Sequence, residues 1–175
     1  MARNAAFEIL YKDYYARVFG LCRRLLNSSE LAEDAAQETF MRAYKNIRKY
    51  DIDKPFWQWI ASIANNYCID LLRQQTRTDA LFGDEATELE QLAAADTPML
   101  SDLIAVEEAD SLNGAVANLS AKYRVPLVLA YFNQFRYDEI AEQLNISRTH
   151  VGVLLLRAKQ RLRADLINEG GEGVQ

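Results

Sequence analysis

Between Lys54 and Arg73 the chain reads KPFWQWIASIANNYCIDLLR. This stretch holds both tryptophans, Trp57 and Trp59, beside Phe56, Tyr67, Asn65, Asn66, Asp70 and Arg73. Aromatic rings can stack on unpaired bases, and neighbouring amides and guanidinium groups can add polar contacts to the strand. The same rings would serve equally as core, because only part of such a set can face one way on a helix. As a group, with Asn and Arg adjacent, they point to nucleic-acid contact.

A second stretch, YDEIAEQLNISRTHVGVLLLRAKQRLR from Tyr137 to Arg163, reads as two short helices joined by a tight turn. Asp138 and Glu139 suit the positive end of the first helix. Asn145 sits where a left-handed residue is needed, and Asn tolerates that conformation. Ser147 can cap the second helix. On that helix Val151, Leu155, Ala158 and Leu162 fall on one face. Thr149, Val153, Leu156, Arg157, Gln160 and Arg163 are expected on the opposite one. A recognition helix presents N-terminal residues to base edges and basic residues to phosphates. Arg148, Thr149 and His150 occupy that end, with Arg157 and Lys159 further on. For Val153 and Leu156 two partners are open, thymine methyl groups or another protein. His150 is open between a plain polar surface residue and a DNA contact.

Other chemistries find little support. The chain shows no GxGxxG, GKS/T or GxSxG, hence no phosphate cradle or nucleophile elbow. Cys22, Cys68 and the single histidine do not form a metal-ligand pattern, so no cofactor and no metal are expected. Reduced cysteines suit a cytoplasmic protein. No apolar run approaches the roughly 20 residues that span a bilayer, and MARNAAFEIL lacks a signal-peptide core.

The 175 residues allow one medium domain or two small ones, and half of them are hydrophobic, enough for a real core. The net charge is -5, but it is partitioned. Residues 1–78 carry +3 and residues 122–175 carry +2, while residues 79–121 carry -10 with no Lys or Arg. The acidity therefore lies away from the candidate DNA reader.

The acidic stretch has Gly83, Pro98 and weak periodicity, and reads as a linker. It is either a solvated spacer or an acidic strand for a basic channel on a partner. Before it, three helices are expected. The first carries Phe7, Leu10, Tyr14, Val18, Leu21 and Leu25 on one face, and the second Ala36, Phe40, Ala43 and Ile47. The third, after the KYDIDKP loop, carries Phe56, Ile60, Ile63, Tyr67 and Leu71. Ser28 or Ser29 can cap the second helix. Beyond the linker, Ser120 can cap a helix in which Pro126 forces a kink or a late start. The fold class is all-α: two small helical domains, 1–77 and 112–167, joined by an acidic linker, 78–111, with a disordered tail, 168–175.

Three segments in this order resemble the sigma-70 family of RNA polymerase sigma factors, specifically the short extracytoplasmic-function group. AEDAAQETFMRAYKNIRKYD is similar to the region 2 helix that grips the polymerase. PFWQWIASIANNYCIDLLRQQ is similar to the helix that reads the -10 promoter element. LSAKYRVPLVLAYFNQFRYDEIAEQLNISRTHVGVLLLRAKQRLR is similar to region 4, which reads the -35 element.

The resemblance implies that Asp34, Gln37, Glu38 and Phe40 bind core polymerase, with Phe40 also a packing candidate. It implies that Asn66, Asp70 and Arg73, together with the loop residues Lys54, Pro55 and Phe56, hold the unpaired -10 strand. Trp57 and Asn65 join them on the residue types above. It assigns Arg148, His150, Arg157 and Lys159 to the -35 duplex, to which Thr149 and Val153 are added from their helix positions. Core RNA polymerase and promoter DNA are the implied partners. Many members of the group are held inactive by an anti-sigma factor, which makes such a protein a further candidate. The chain departs from the group at Asn65, where many have Arg, at Gly152 and Leu154, where many have Lys and Arg, and at Arg136, where Ser or Thr is usual. A conventional helix-turn-helix regulator binding duplex DNA without polymerase, and a nucleic-acid hydrolase, stand as the rival readings.

Overall fold

The computed structural model describes residues 2–76, 81–82 and 109–171. The acidic stretch read as a linker, apart from Leu81, Phe82 and residues from 109 on, and the last residues of the tail lie outside that range. Among the described residues every regular element is helical. The chain divides into two compact units, Met1–Arg77 and Thr78–Gln175.

The first unit is a three-helix bundle, α1 (Ala2–Leu26), α2 (Ser29–Asn46) and α3 (Phe56–Thr76), in which each helix packs on the other two. α1 stops at Asn27, which adopts the left-handed conformation, φ 53°, and donates its N–H to Arg23 O at 3.0 Å. Ser28 then starts α2, its Oγ accepting from Leu31 N–H at 3.3 Å. Arg23 ties the corner by donating from Nε to Ser29 Oγ at 3.0 Å. Ala32, Ala35, Ala36 and Ala43 are fully buried along α2, which lets the backbones approach closely. Thr39 is buried with them and returns its hydroxyl to Ala35 O at 2.7 Å.

The inward face of α3 differs from the expected stripe. Phe56, Ile60, Ala61, Ala64, Asn65, Cys68, Ile69 and Leu72 are buried, whereas Ile63, Tyr67 and Leu71 are half-buried. Phe56 and Ile60 of that stripe are buried as expected, and Ala61, Ala64, Cys68, Ile69 and Leu72 extend the buried face in place of Ile63, Tyr67 and Leu71.

The second unit packs α4 (Ala109–Asn118), α5 (Ala121–Leu127) and α6 (Tyr137–Leu144) against the long α7 (Arg148–Gly171). Ser120 precedes α5 but makes no side-chain cap bond. Pro126 delays neither the start nor the path of α5. The distortion falls just after it, in a wide turn over Val128–Phe132, where Asn133 N–H reaches Val128 O at 3.3 Å and Phe135 N–H reaches Leu129 O at 3.0 Å. Buried Arg124 donates to Leu119 O at 2.7 Å, satisfying a carbonyl just past α4. α6 ends at Asn145 in the left-handed conformation, φ 55°, and Ser147 Oγ accepts from His150 N–H at 3.1 Å to cap α7. α7 continues to Gly171, so residues 168–171 of the expected tail are helical.

Candidate nucleic-acid interface

On a helix of 3.6 residues per turn, steps of three and four share a face. Trp59, Ser62, Asn66, Asp70 and Arg73 follow those steps along α3. Asn66 and Asp70 are exposed, and Trp59, Ser62 and Arg73 are half-buried. Arg73 Nη1 lies 3.9 Å from Asp70 Oδ1. This strip presents an indole, a hydroxyl, an amide, a carboxylate and a guanidinium along one line, and its ring, amide and guanidinium suit an unpaired strand.

The other candidates of this segment are placed differently. Asn65 is fully buried with Ala61, Ala64, Cys68 and Ile69 on the seam side of α3, so its amide is not offered to DNA. Trp57 stands half a turn away from Asn66. It is half-buried, and the Arg17 guanidinium of α1 lies 3.8 Å from its ring centroid. Phe56 is buried, with ring contacts to Tyr14 at 5.0 Å, Tyr50 at 5.5 Å and Trp59 at 5.7 Å. It is the packing centre beneath the loop rather than a stacking surface. Lys54 and Pro55 are exposed on that loop.

On α2, Asp34 and Gln37 are exposed and Glu38 is half-buried. Phe40 is 3% exposed and takes edge-on contact from Tyr11 at 4.8 Å, so it packs rather than projects. Glu38 Oε1 accepts from Arg42 Nε at 2.7 Å, and Arg42 in turn lies 4.7 Å from the Tyr67 ring. Beside these residues an open apolar groove of about 550 Å³ runs between α1 and α2, lined by Phe7, Tyr11, Gln37, Phe40, Met41, Tyr44 and Lys45. Met41 is a residue the sequence reasoning did not select. Its 54% exposure beside a groove is the signal the sequence lacked.

On α7 the exposed strip is Thr149, Gly152, Leu156, Gln160 and Arg163, with Gly152 and Leu156 half-exposed. Arg148 is exposed and forms a 3.2 Å ion pair with Asp138 of α6. Arg157 is half-buried. Three expected DNA contacts are instead inside. His150 is 4% exposed, Val153 3% and Lys159 8%. The cause is common to them. α4, α5 and α6 all pack on α7, so its buried arc is wider than a two-helix motif requires. The Lys159 ammonium lies 5.2 Å from the Tyr131 ring centroid, and burial lowers its pKa. Burial also pushes the Tyr131 hydroxyl up to about 12, with Tyr137 adding to the shift. Arg161, exposed over the Tyr123 ring at 4.5 Å, is a surface cation the sequence reasoning did not select.

A three-helix unit with an exposed aromatic and amide strip, and a second unit built on a helix-turn-helix, define a protein of nucleic-acid recognition. Comparison with known proteins sharpens that class. Residues 10–78 match sigma-70 region 2, and residues 109–162 match sigma-70 region 4. The chain is 34% identical over 166 residues to the ECF RNA polymerase sigma factor SigW of Bacillus subtilis, covering 92% of this chain and 89% of the relative. It is also 34% identical over 161 residues to SigM of the same organism, covering 92% and 94%. In fold it is similar to the sigma factor RpoE of Bartonella quintana, solved in complex with the anti-sigma factor NepR, with a TM-score of 0.62 over 92% of this chain and 96% of that one, at 19% identity.

The chain belongs to the sigma-70 family, in its extracytoplasmic-function group. It is a sigma factor, a subunit that binds core RNA polymerase and directs promoter recognition and transcription initiation. The conventional helix-turn-helix regulator is not favoured. Among the described residues no helix is long and apolar enough to cross a membrane.

Proposed function

We propose that the first unit holds the melted -10 strand on the strip Trp59, Asn66, Asp70 and Arg73, with Lys54 and Pro55 at the loop end. The observation that carries this reading is the exposure of Asn66 in line with Trp59 and Arg73, while Asn65 is sealed inside. The α2 surface of Asp34, Gln37 and Glu38, with the adjoining groove, is the polymerase-binding face. Its groove supplies the apolar centre and its carboxylates and amide the polar rim that a protein interface needs. In the second unit Arg148, Thr149 and Arg157 meet -35 duplex, joined by Gln160, Arg161 and Arg163 from the exposed side of α7. The domain assignment follows these roles: 1–77 for polymerase and -10 strand, 112–167 for -35 duplex, and 78–111 as the connection.

Sigma factors are non-enzymatic initiation factors, and this chain makes and breaks no bond in the proposed role. It acts in the cytoplasm, where polymerase is. An anti-sigma partner is consistent with the group and with the complex solved for the Bartonella quintana protein.

The test is run-off transcription with core polymerase and the purified chain over a genomic library. Discrete start sites that depend on the chain are expected. A dimer that binds duplex DNA tightly without polymerase and yields no start sites overturns the reading.

A further inference from the structure

The loop between the short 3-10 turn Ile47–Lys49 and α3 is closed by bonds that Tyr50 and Asp51 make across it. Lys54 N–H donates to Asp51 O at 3.0 Å, closing a turn with Ile52 and Asp53 at its centre. Asp53 N–H donates to Asp51 Oδ1 at 3.1 Å, the usual way an Asp stabilises such a turn. The Tyr50 hydroxyl then donates to Lys54 O on the far side of the loop. The Tyr50 ring is itself fixed. It stands at 90° to Phe56, 5.5 Å between centroids, and tilts against Trp59 at 5.1 Å. A rigid aromatic base therefore carries a strut to the loop's end.

The turn holds Ile52 outward at 85% exposure, more than any other large apolar side chain among the described residues. Burial does not explain an isoleucine in that position, and a rigid turn does not hide it. An apolar side chain on a fixed tip is what proteins insert between base steps to unstack them. The tip is anchored through Tyr50 to Trp59, which belongs to the proposed -10 strip.

We propose that Tyr50 is a positioning residue for promoter opening: its hydroxyl holds the Asp51–Pro55 loop closed and so presents Ile52 to the unpaired strand. The proposal rests on the -10 assignment made above and adds two residues to it. The hydroxyl bond is exposed, so water replaces it when it is lost, and the fold does not depend on it.

The test uses full-length chain with core polymerase on a promoter mapped by run-off transcription, carrying 2-aminopurine in the non-template -10 strand. Tyr50→Phe keeps the ring and removes only the strut. It lowers the rate of opening about fivefold, the worth of one net hydrogen bond, while the melting temperature and the affinity for core polymerase stay at wild-type values. Ile52→Ala lowers opening as well, and the double variant is no slower than Ile52→Ala alone, because the strut acts through the tip. Opening by Tyr50→Phe at the wild-type rate, multiplicative losses in the double variant, or a matching loss of polymerase affinity would each overturn the proposal. A wild-type holoenzyme that opens no promoter sinks the -10 assignment and this proposal with it, and is recognised before any variant is compared.

Discussion

Gly152 offers a gain-of-function test of the -35 face. It sits in the second turn of α7, in line with Thr149, Leu156, Gln160 and Arg163. A Cβ built on it meets no atom within 4 Å. Glycine in a helix interior costs about 0.8–1.0 kcal/mol relative to alanine, and open space means that no steric penalty offsets the gain. Gly152→Ala is therefore expected to raise the stability of the second unit by about 1 kcal/mol. Gly152→Lys gains slightly less from propensity but adds a cation to the strip. If that strip faces phosphates, one further contact steepens log K against log[salt] by about 0.9. Urea unfolding followed by circular dichroism reads the first effect. Holoenzyme binding to promoter duplex between about 50 and 200 mM salt reads the second. An unchanged salt slope in a well-folded Lys variant would show that this strip does not meet the backbone. A destabilised Ala variant would show that the face is not open at all.

The two adjacent asparagines should separate cleanly. Asn66→Ala slows promoter opening and leaves thermal stability unchanged, whereas Asn65→Ala, at a fully buried polar position, lowers stability by about 1–3 kcal/mol; the reverse pattern would invert the assignment of the α3 faces. Cys22 and Cys68 are both buried, and the Cys68 thiol, hydrogen-bonded with Cys22 and desolvated, is held far above the ordinary thiol range. Because the thiolate is the reactive form, alkylation in native buffer is expected to be slow, and urea should release it; fast native labelling refutes the packing of α1 on α3. Tyr131, at about 12 in the folded chain against about 10 unfolded, contributes stability that is fully present below pH 10 and lost as pH rises toward 12. Alkaline unfolding in that window should be shallower in Tyr131→Phe, and an identical profile would contradict the burial of this ring.

The bundle was legible because its signals are local. A left-handed Asn at 145 and serine caps at 28 and 147 are chemistry of one or two residues, and the structure places all three as their side chains require. What the sequence could not show is how many neighbours a helix has. Val153 looked exposed on a wheel drawn for one partner helix, and the resemblance assigned His150 and Lys159 to DNA, but three helices cover α7. The α3 stripe is right at Phe56 and Ile60 and departs for a related reason further on: α3 packs on both α1 and α2, and the buried face runs through Ala64, Cys68, Ile69 and Leu72 rather than Ile63, Tyr67 and Leu71. Asn65 went with the wrong face because adjacent residues point 100° apart on a helix, a difference that residue type alone cannot resolve.

The charge pattern now has a physical reading. Arg148 is paired with Asp138 at 3.2 Å, Arg73 stands 3.9 Å from Asp70 and Lys159 is buried, which leaves Lys54 in the first unit and Arg157, Arg161 and Arg163 in the second as the further cations of the proposed DNA faces. Each unit thus brings only a handful of cations to a phosphate backbone, and each alone is expected to bind DNA weakly, with a correspondingly shallow salt dependence. Weak sites become selective when a common partner holds them, because the second contact is then intramolecular and its effective concentration is set by the tether. A tightly binding unit would have worked against this, since it would settle on any duplex before polymerase arrived. The modest basicity of the two units is therefore a requirement of a reader that must depend on polymerase.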